Sequence, residues 1–146
     1  MASDKIKKEL NGVGGWLIWL MLTLIFNTVY FLIKGVGSIY WLTLPTEVPD
    51  NLMPLVYFEI IGYEIFTILL VFCNFLFFYK KKIFIKWYIY VALSILIFHI
   101  VEGLSIQDHN KDAIIFDKET LQSLADVLIW APYLLLSKRV KATFTR

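Results

Sequence analysis

The stretch that decides the fold is 54–104, PLVYFEIIGYEIFTILLVFCNFLFFY-KKK-IFIKWYIYVALSILIFHIVEGL, in which two long apolar runs flank a triple lysine. A membrane-spanning helix needs about 20 consecutive, mostly apolar residues, and each run reaches that length. The connection between them is short, which favours antiparallel neighbours. We therefore predict two membrane-spanning helices, at 54–79 and 83–104.

Two more apolar runs lie outside this stretch, at 14–33 and 120–137, and the second is the shorter and less apolar. The prediction is an all-α polytopic membrane protein, with residues 1–146 forming a single domain of four transmembrane helices. Composition agrees, because 59% of the residues are hydrophobic and only 18% are charged, against about 25% charged in an ordinary soluble domain. A soluble enzyme and a nucleic-acid-binding arm are excluded.

The distribution of Lys and Arg predicts the orientation, because cytoplasmic loops carry an excess of positive charge. One side would hold Lys5, Lys7, Lys8, Lys80, Lys81, Lys82, Lys86, Lys138, Arg139, Lys141 and Arg146. The other would hold Lys34, Lys111 and Lys118 together with Glu47, Asp50, Asp108, Asp112, Asp117 and Glu119. We expect both termini in the cytoplasm and the protein in the cell inner membrane.

Segment 36–44 is apolar but too short to span, and Gly35 and Gly37 stand at its start. It is either a broken extension of the first helix or a short piece lying in the outer interface.

Polar residues lie at membrane depth in all four predicted helices. They are Asn27, Glu59, Glu64, His99, Glu102 and Asp126. A charge at the bilayer centre costs roughly 2.5–3.5 kcal/mol on insertion scales, so such residues carry a functional hypothesis by default. At about 1.5 Å per residue, all of them fall in the outer half of the membrane.

Helical spacing indicates which of these side chains face the bundle interior. His99 and Glu102 are three residues apart and share a face, and Asp126 belongs to a polar stripe along the fourth helix. Glu59 and Glu64 lie on different faces of the second helix. Glu64 is the deeper and the better interior candidate, whereas Glu59 can extend outward or pair with Lys34.

We predict a ligand-binding site made of Glu64, Asp126, His99, Glu102 and Asn27. Four carboxylates share the region with one histidine, so some are protonated or they hold a cation. The predicted function is an outward-facing, carboxylate-lined cavity that binds or transports a proton, a cation or a cationic small molecule. The alternative is an accessory or structural subunit that packs against another membrane protein.

No catalytic residue, cofactor or metal site is predicted. His99 and Glu102 with Asp126 or Glu64 could supply metal ligands, but the repeated Glu-x-x-His pattern of carboxylate metal bundles is missing from the sequence. Ser123, Asp126 and His99 would be the members of an intramembrane catalytic group, the third hypothesis. Expected partners are membrane lipid and a second copy or another membrane protein, with no nucleic acid.

Two motifs carry a family resemblance. The C-terminal run WAPYLLLSKRVKATF at 130–144 and Gly14-Gly15-Trp16-Leu17 near the start resemble the bacterial membrane proteins of domain-of-unknown-function family 2569. The resemblance covers nearly the whole chain and implies a four-helix inner-membrane protein, without an activity, cofactor or catalytic residue. This chain departs from the family's usual Gly- and Pro-richer start, with Met21, Thr23 and Asn27.

Overall fold

The structure, a computed structural model, describes residues 14–43, 49–50, 52–109 and 117–145. Over these residues it is all-helical, as predicted. The helices are α1 (Trp16–Thr43), α2 (Met53–Phe78), α3 (Phe84–His109), α4 (Lys118–Leu136) and α5 (Lys138–Thr143). Among the described residues three helices are long and apolar enough to cross a membrane, namely Trp16–Thr43, Met53–Phe78 and Phe84–Gln107.

Segment 36–43 belongs to α1, which runs without interruption past Gly35 and Gly37 to Thr43. Of the two alternatives, the structure therefore shows an extension of the first helix, with no break at the glycines. Leu44 lies outside the described residues.

The turn between α2 and α3 is compact and explains their antiparallel course. Lys80 adopts a positive φ of 53°, and the Lys81 amide donates to the Leu76 carbonyl at 3.0 Å. This is the hydrogen bond of a Schellman C-cap, with a lysine where glycine is the commoner residue. α3 then begins at Phe84 and returns along α2.

α4 begins at one side-chain cap, and a second side-chain cap starts α5 directly after it. Asp117 accepts a hydrogen bond from the Thr120 amide at 2.8 Å, and Ser137 accepts one from the Val140 amide at 3.4 Å and so starts α5. α4 continues through Pro132. Its N-cap places Glu119 in the first turn.

Consecutive helices pack side by side, α1 on α2, α2 on α3 and α3 on α4. The interior is aliphatic and aromatic, with a buried row on α1 and a second on α2. These rows are Leu17, Leu20, Leu24 and Phe31 on α1, and Tyr63, Phe66, Leu70, Cys73 and Phe77 on α2. Large apolar side chains also cover the outside, such as Phe26, Ile68 and Ile97. That outer surface is typical of helices that face lipid.

The two motifs that carry the family resemblance meet at one end of the bundle. A Cβ on Gly14 would lie 2.5 Å from Nη1 of Arg139, so a larger residue there would require the end of that flexible side chain to move. Phe144, after α5, stacks on Phe84 with ring centroids 4.9 Å apart and contacts Phe77 at 5.4 Å. α5 thus closes the bundle at this end.

Candidate functional site

Six polar side chains from four helices meet near the other end of the bundle, and we call them the polar cluster. Its members are Tyr30 and Lys34 on α1, Tyr63 on α2, His99 and Glu102 on α3, and Glu119 on α4.

His99 and Glu102 form the buried half of the polar cluster. His99 is only 4% exposed, and its Nδ1 lies 3.1 Å from Glu102 Oε2. Tyr63 donates its hydroxyl to the other oxygen, Oε1, at 2.9 Å. Because both carboxylate oxygens are engaged, the Glu102 side chain is held in one orientation.

Glu119 forms the outer half. Its Oε1 accepts hydrogen bonds from Lys34 Nζ and from the Tyr30 hydroxyl, each at 2.6 Å. Its Oε2 lies 3.9 Å from His99 Nδ1. The Lys34 and Glu119 side chains are 39% and 25% exposed, which leaves this half open to the surroundings.

A second polar contact joins α1 to α4 further along the bundle. Asn27 Nδ2 donates to Asp126 Oδ2 at 3.0 Å. Asn27, His99, Glu119 and Asp126 all line one internal cavity of about 30 Å³. This volume holds about two water molecules, and the cavity lies against both the Asn27–Asp126 pair and the polar cluster.

A lateral groove opens between α1 and α4 on the other side of that pair. Its volume is about 560 Å³, and it is lined by apolar side chains such as Trp19 and Phe26 together with Asn27, Gln122 and Asp126. The Asn27–Asp126 pair therefore separates the small cavity from a surface groove.

The structure brings together four of the five predicted site residues, in two groups. His99 and Glu102 are in contact, and Asn27 and Asp126 form the second pair. Glu64 stands apart: its Oε1 would lie 2.6 Å from a Cβ on Gly35. Its carboxylate packs against the backbone of α1, away from the residues that line the cavity. Ligand binding by these residues stays a prediction.

The structure also gives Lys34 a different partner from the one that the sequence suggested. Its ammonium group bonds to Glu119 at 2.6 Å, whereas the sequence pattern offered Glu59 as its partner. Glu59 is half-buried on α2. Lys34 pairs with α4 because α1 packs on α2 and also bonds to α4. The spacing of residues along α1 does not reveal which helices lie beside it.

Sequence reasoning missed Glu119 and Tyr63 as members of the site. The sequence places Glu119 with the acids of the outer loop, although aspartate is a favoured N-cap residue, and a helix that begins after Asp117 has Glu119 in its first turn. Tyr63 shares a helix face with Phe66 and Leu70, and this buried row was the available signal.

The polar cluster can exchange a proton or hold a cation. A hydrogen bond between an imidazole nitrogen and a carboxylate oxygen requires one proton between them, carried by either group. Glu102, Glu119 and Asp126 supply three carboxyl groups in this region, and Lys34 supplies one permanent positive charge. Carboxyl groups therefore outnumber lysine ammonium groups in this region, which suits it to positively charged ligands.

Comparison with known proteins gives one family. A family model described as "Protein of unknown function (DUF2569)" matches residues 10–145, which is nearly the whole chain. No curated protein and no solved structure matches it.

Proposed function

Because the chain belongs to the DUF2569 family of proteins of unknown function, we propose its function from the site: it is a four-span membrane protein that binds a small cation, a proton or an inorganic ion, inside its helix bundle. The observation that carries the proposal is the convergence of His99, Glu102 and Glu119 beside a cavity of about 30 Å³. The role assigned is binding, without catalysis.

The transmembrane arrangement is supported by the packing of α4. Three helices meet the length and hydropathy of a membrane span. α4 packs along α3, and its polar side chains Glu119 and Asp126 are bonded to α1. Leu128 and Leu136 are exposed. A helix with its charges bonded inside the bundle can cross a membrane at lower mean hydropathy.

Charge distribution supports the orientation. Under the positive-inside rule, the lysines at 80–82 and the basic α5 segment face the cytoplasm. Both termini are then cytoplasmic, and the polar cluster lies near the outer side. The location that follows for a bacterial protein of this kind is the inner membrane, in contact with lipid.

Size favours a proton or an inorganic ion over an organic cation. A cavity of about 30 Å³ has no room for a cationic organic molecule. Transport, as distinct from binding, requires the site to open alternately to both sides. Four helices offer few surfaces for that movement, so transport is proposed only for a homodimer.

Thermal unfolding of the detergent-purified, full-length protein tests cation binding. We expect the Tm to change with added cations and with pH, because protons and cations bind to the same imidazole and carboxylate groups. Binding at a hundredfold excess over Kd stabilises by about 2.7 kcal/mol. Glu102→Gln should lose the response, because the amide keeps the shape but not the charge.

Glu64→Gln is the matched control, since it makes the same substitution on a carboxylate that packs against Gly35. It should keep the wild-type response. A Tm that is insensitive to pH and to every cation in the wild type, or a response that Glu102→Gln leaves intact, contradicts the proposal.

The lateral groove favours a second candidate function, an accessory subunit. Polar groups such as Gln122 and Asp126 line a groove that would face lipid, and polar side chains at membrane depth serve as contacts between helices. Such a subunit should aggregate when purified alone or co-purify with a defined partner. A monodisperse single protein argues against it.

A further inference from the structure

Three potential ligand atoms converge inside the polar cluster. They belong to His99, Glu102 and Glu119, each of which offers one ligand atom within 4.8 Å of the other two. Nδ1 is 3.1 Å from Glu102 Oε2 and 3.9 Å from Glu119 Oε2. We propose that these three atoms bind a divalent metal ion of the zinc class. The proposal rests on the proposed cation-binding function and names its ligand.

The separations match the requirements of zinc. Zn²⁺ binds His nitrogen and carboxylate oxygen at about 2.1 Å in tetrahedral geometry, so neighbouring ligand atoms are about 3.4 Å apart. The two distances measured from His99 Nδ1 lie on either side of that value. A movement of about half an ångström by Glu119, the more exposed of the two carboxylates, brings its Oε2 to that separation from His99 Nδ1.

The second oxygen of each carboxylate accepts hydrogen bonds from neighbouring side chains. Glu102 Oε1 accepts from Tyr63, and Glu119 Oε1 accepts from Tyr30 and Lys34. Lys34 therefore bonds to the oxygen that faces away from His99 and does not occupy the metal position. Partners of this kind orient the ligands in metal sites.

The fourth coordination position faces the cavity. His99 and Glu119 both line it, and its volume of about 30 Å³ has room for the water that completes a site with three protein ligands. A site with an open position exchanges its metal more readily than a closed structural site. This fits a binding or transport role.

The donor set distinguishes between metals. Imidazole nitrogen favours zinc and its neighbours, whereas Mg²⁺ prefers oxygen ligands in a near-ideal octahedron and retains several waters. Metal binding at His99 Nδ1 displaces the proton that bridges Nδ1 and Glu102 Oε2. A proton carried by Glu102 is released to solvent, whereas for a neutral imidazole protonated at Nδ1 the ring takes up a proton at Nε2 as the Nδ1 proton leaves, so that Nδ1 is free to bind. The two carboxylates, one of them paired with Lys34, then balance most of the added charge.

The test uses the full-length protein in detergent with Zn²⁺ alone as the probe and Mg²⁺ as the comparison metal. We expect Zn²⁺ and not Mg²⁺ to raise the Tm of the wild type and of Glu64→Gln, and to have no effect on His99→Gln or Glu102→Gln. Co²⁺, used in place of Zn²⁺, should give visible absorption bands of a four-coordinate site in the same two responsive proteins.

Tyr63→Phe keeps the aromatic packing and removes only the hydroxyl that holds Glu102 Oε1. Loss of such an outer partner typically weakens metal binding by about 10-fold to 100-fold, so the variant should bind Zn²⁺ that much more weakly in a direct titration. Tyr63→Phe also tests the zinc site if His99→Gln or Glu102→Gln does not fold.

The results that would overturn the zinc assignment differ from those that would overturn the proposed function. A wild type that responds to pH or to another cation through Glu102 but not to Zn²⁺ overturns the zinc assignment and leaves the proposed function in place. A Zn²⁺ response that persists in both His99→Gln and Glu102→Gln also overturns the assignment, because the metal then binds elsewhere. No response to any cation or to pH overturns both.

Discussion

At the residue scale, Gly62 decides how closely α2 approaches α3. A Cβ at this position would overlap Cε2 of the Phe98 ring. Phe98 in turn stacks on Phe58 with ring centroids 5.0 Å apart and contacts the ring of its neighbour His99 at 5.6 Å. The glycine thereby sets the position of the helix that carries His99.

Gly62→Ala is expected to destabilise the protein, because the added methyl group must displace the Phe98 ring. Overpacking of this kind costs about 1–3 kcal/mol. The variant should unfold at a lower Tm and respond more weakly to cations, since His99 moves with Phe98.

Gly37→Ala is the matched control for that substitution. A Cβ on Gly37 meets nothing within 4 Å, and alanine favours the helix over glycine by about 1 kcal/mol. Its Tm should equal or exceed that of the wild type. Equal Tm values for the two alanine variants would show that α2 and α3 have room to separate.

At the element scale, the start of α4 sets the position of Glu119. Asp117 accepts the Thr120 amide at 2.8 Å and so begins the helix two residues before Glu119. The same short turn brings the Glu119 carboxylate to Lys34 and Tyr30. A local cap on one helix therefore determines a contact between two helices.

Asp117→Ala removes this cap and should lower stability by about 1 kcal/mol. It should also weaken the response to cations, because Glu119 is then held less firmly. Thermal unfolding and a cation titration measure the two effects.

Asp117→Asn separates capping from charge, since asparagine caps about as well as aspartate. It should behave like the wild type in both measurements. If Asp117→Asn is as impaired as Asp117→Ala, the charge of Asp117 matters and the cap does not.

At the scale of the whole molecule, the bundle has two unlike ends. Aromatic packing by α5 and the contact between Arg139 and Gly14 close one end. The polar cluster, with Lys34 and Glu119 partly exposed, occupies the other. Of the two carboxylates beside His99, Glu119 is therefore the more exposed.

Labelling of single introduced cysteines tests the four-span arrangement. The native Cys73 is fully buried, so it contributes little background. On intact cells a membrane-impermeant maleimide should label Lys118→Cys but not Lys81→Cys or Thr145→Cys. The latter two should react only after the membrane is opened.

The pair Lys118→Cys and Thr145→Cys is decisive for α4, because these residues flank it. Labelling of both from outside would mean that α4 does not cross the membrane and that the chain has three spans. Labelling of Lys81→Cys from outside would reverse the orientation.

The helices and the polar residues within them were accessible from the sequence, because an apolar run of membrane-spanning length has one stable backbone conformation in lipid. His99 and Glu102 were also placed correctly on one face, since residues three apart always share a face of a helix. Segment 36–43 was left open, as glycines neither require nor prevent a break in a helix.

The sequence by itself therefore determined an all-helical, strongly apolar protein with charged groups inside its apolar helices. Only the tertiary structure decided that Tyr63 and not Glu64 faces the polar cluster, and that Lys34 pairs with Glu119. The reason is geometric. A step of one residue turns a side chain by about 100° around the helix, and the rotation and neighbours of each helix depend on packing against residues far away in the chain.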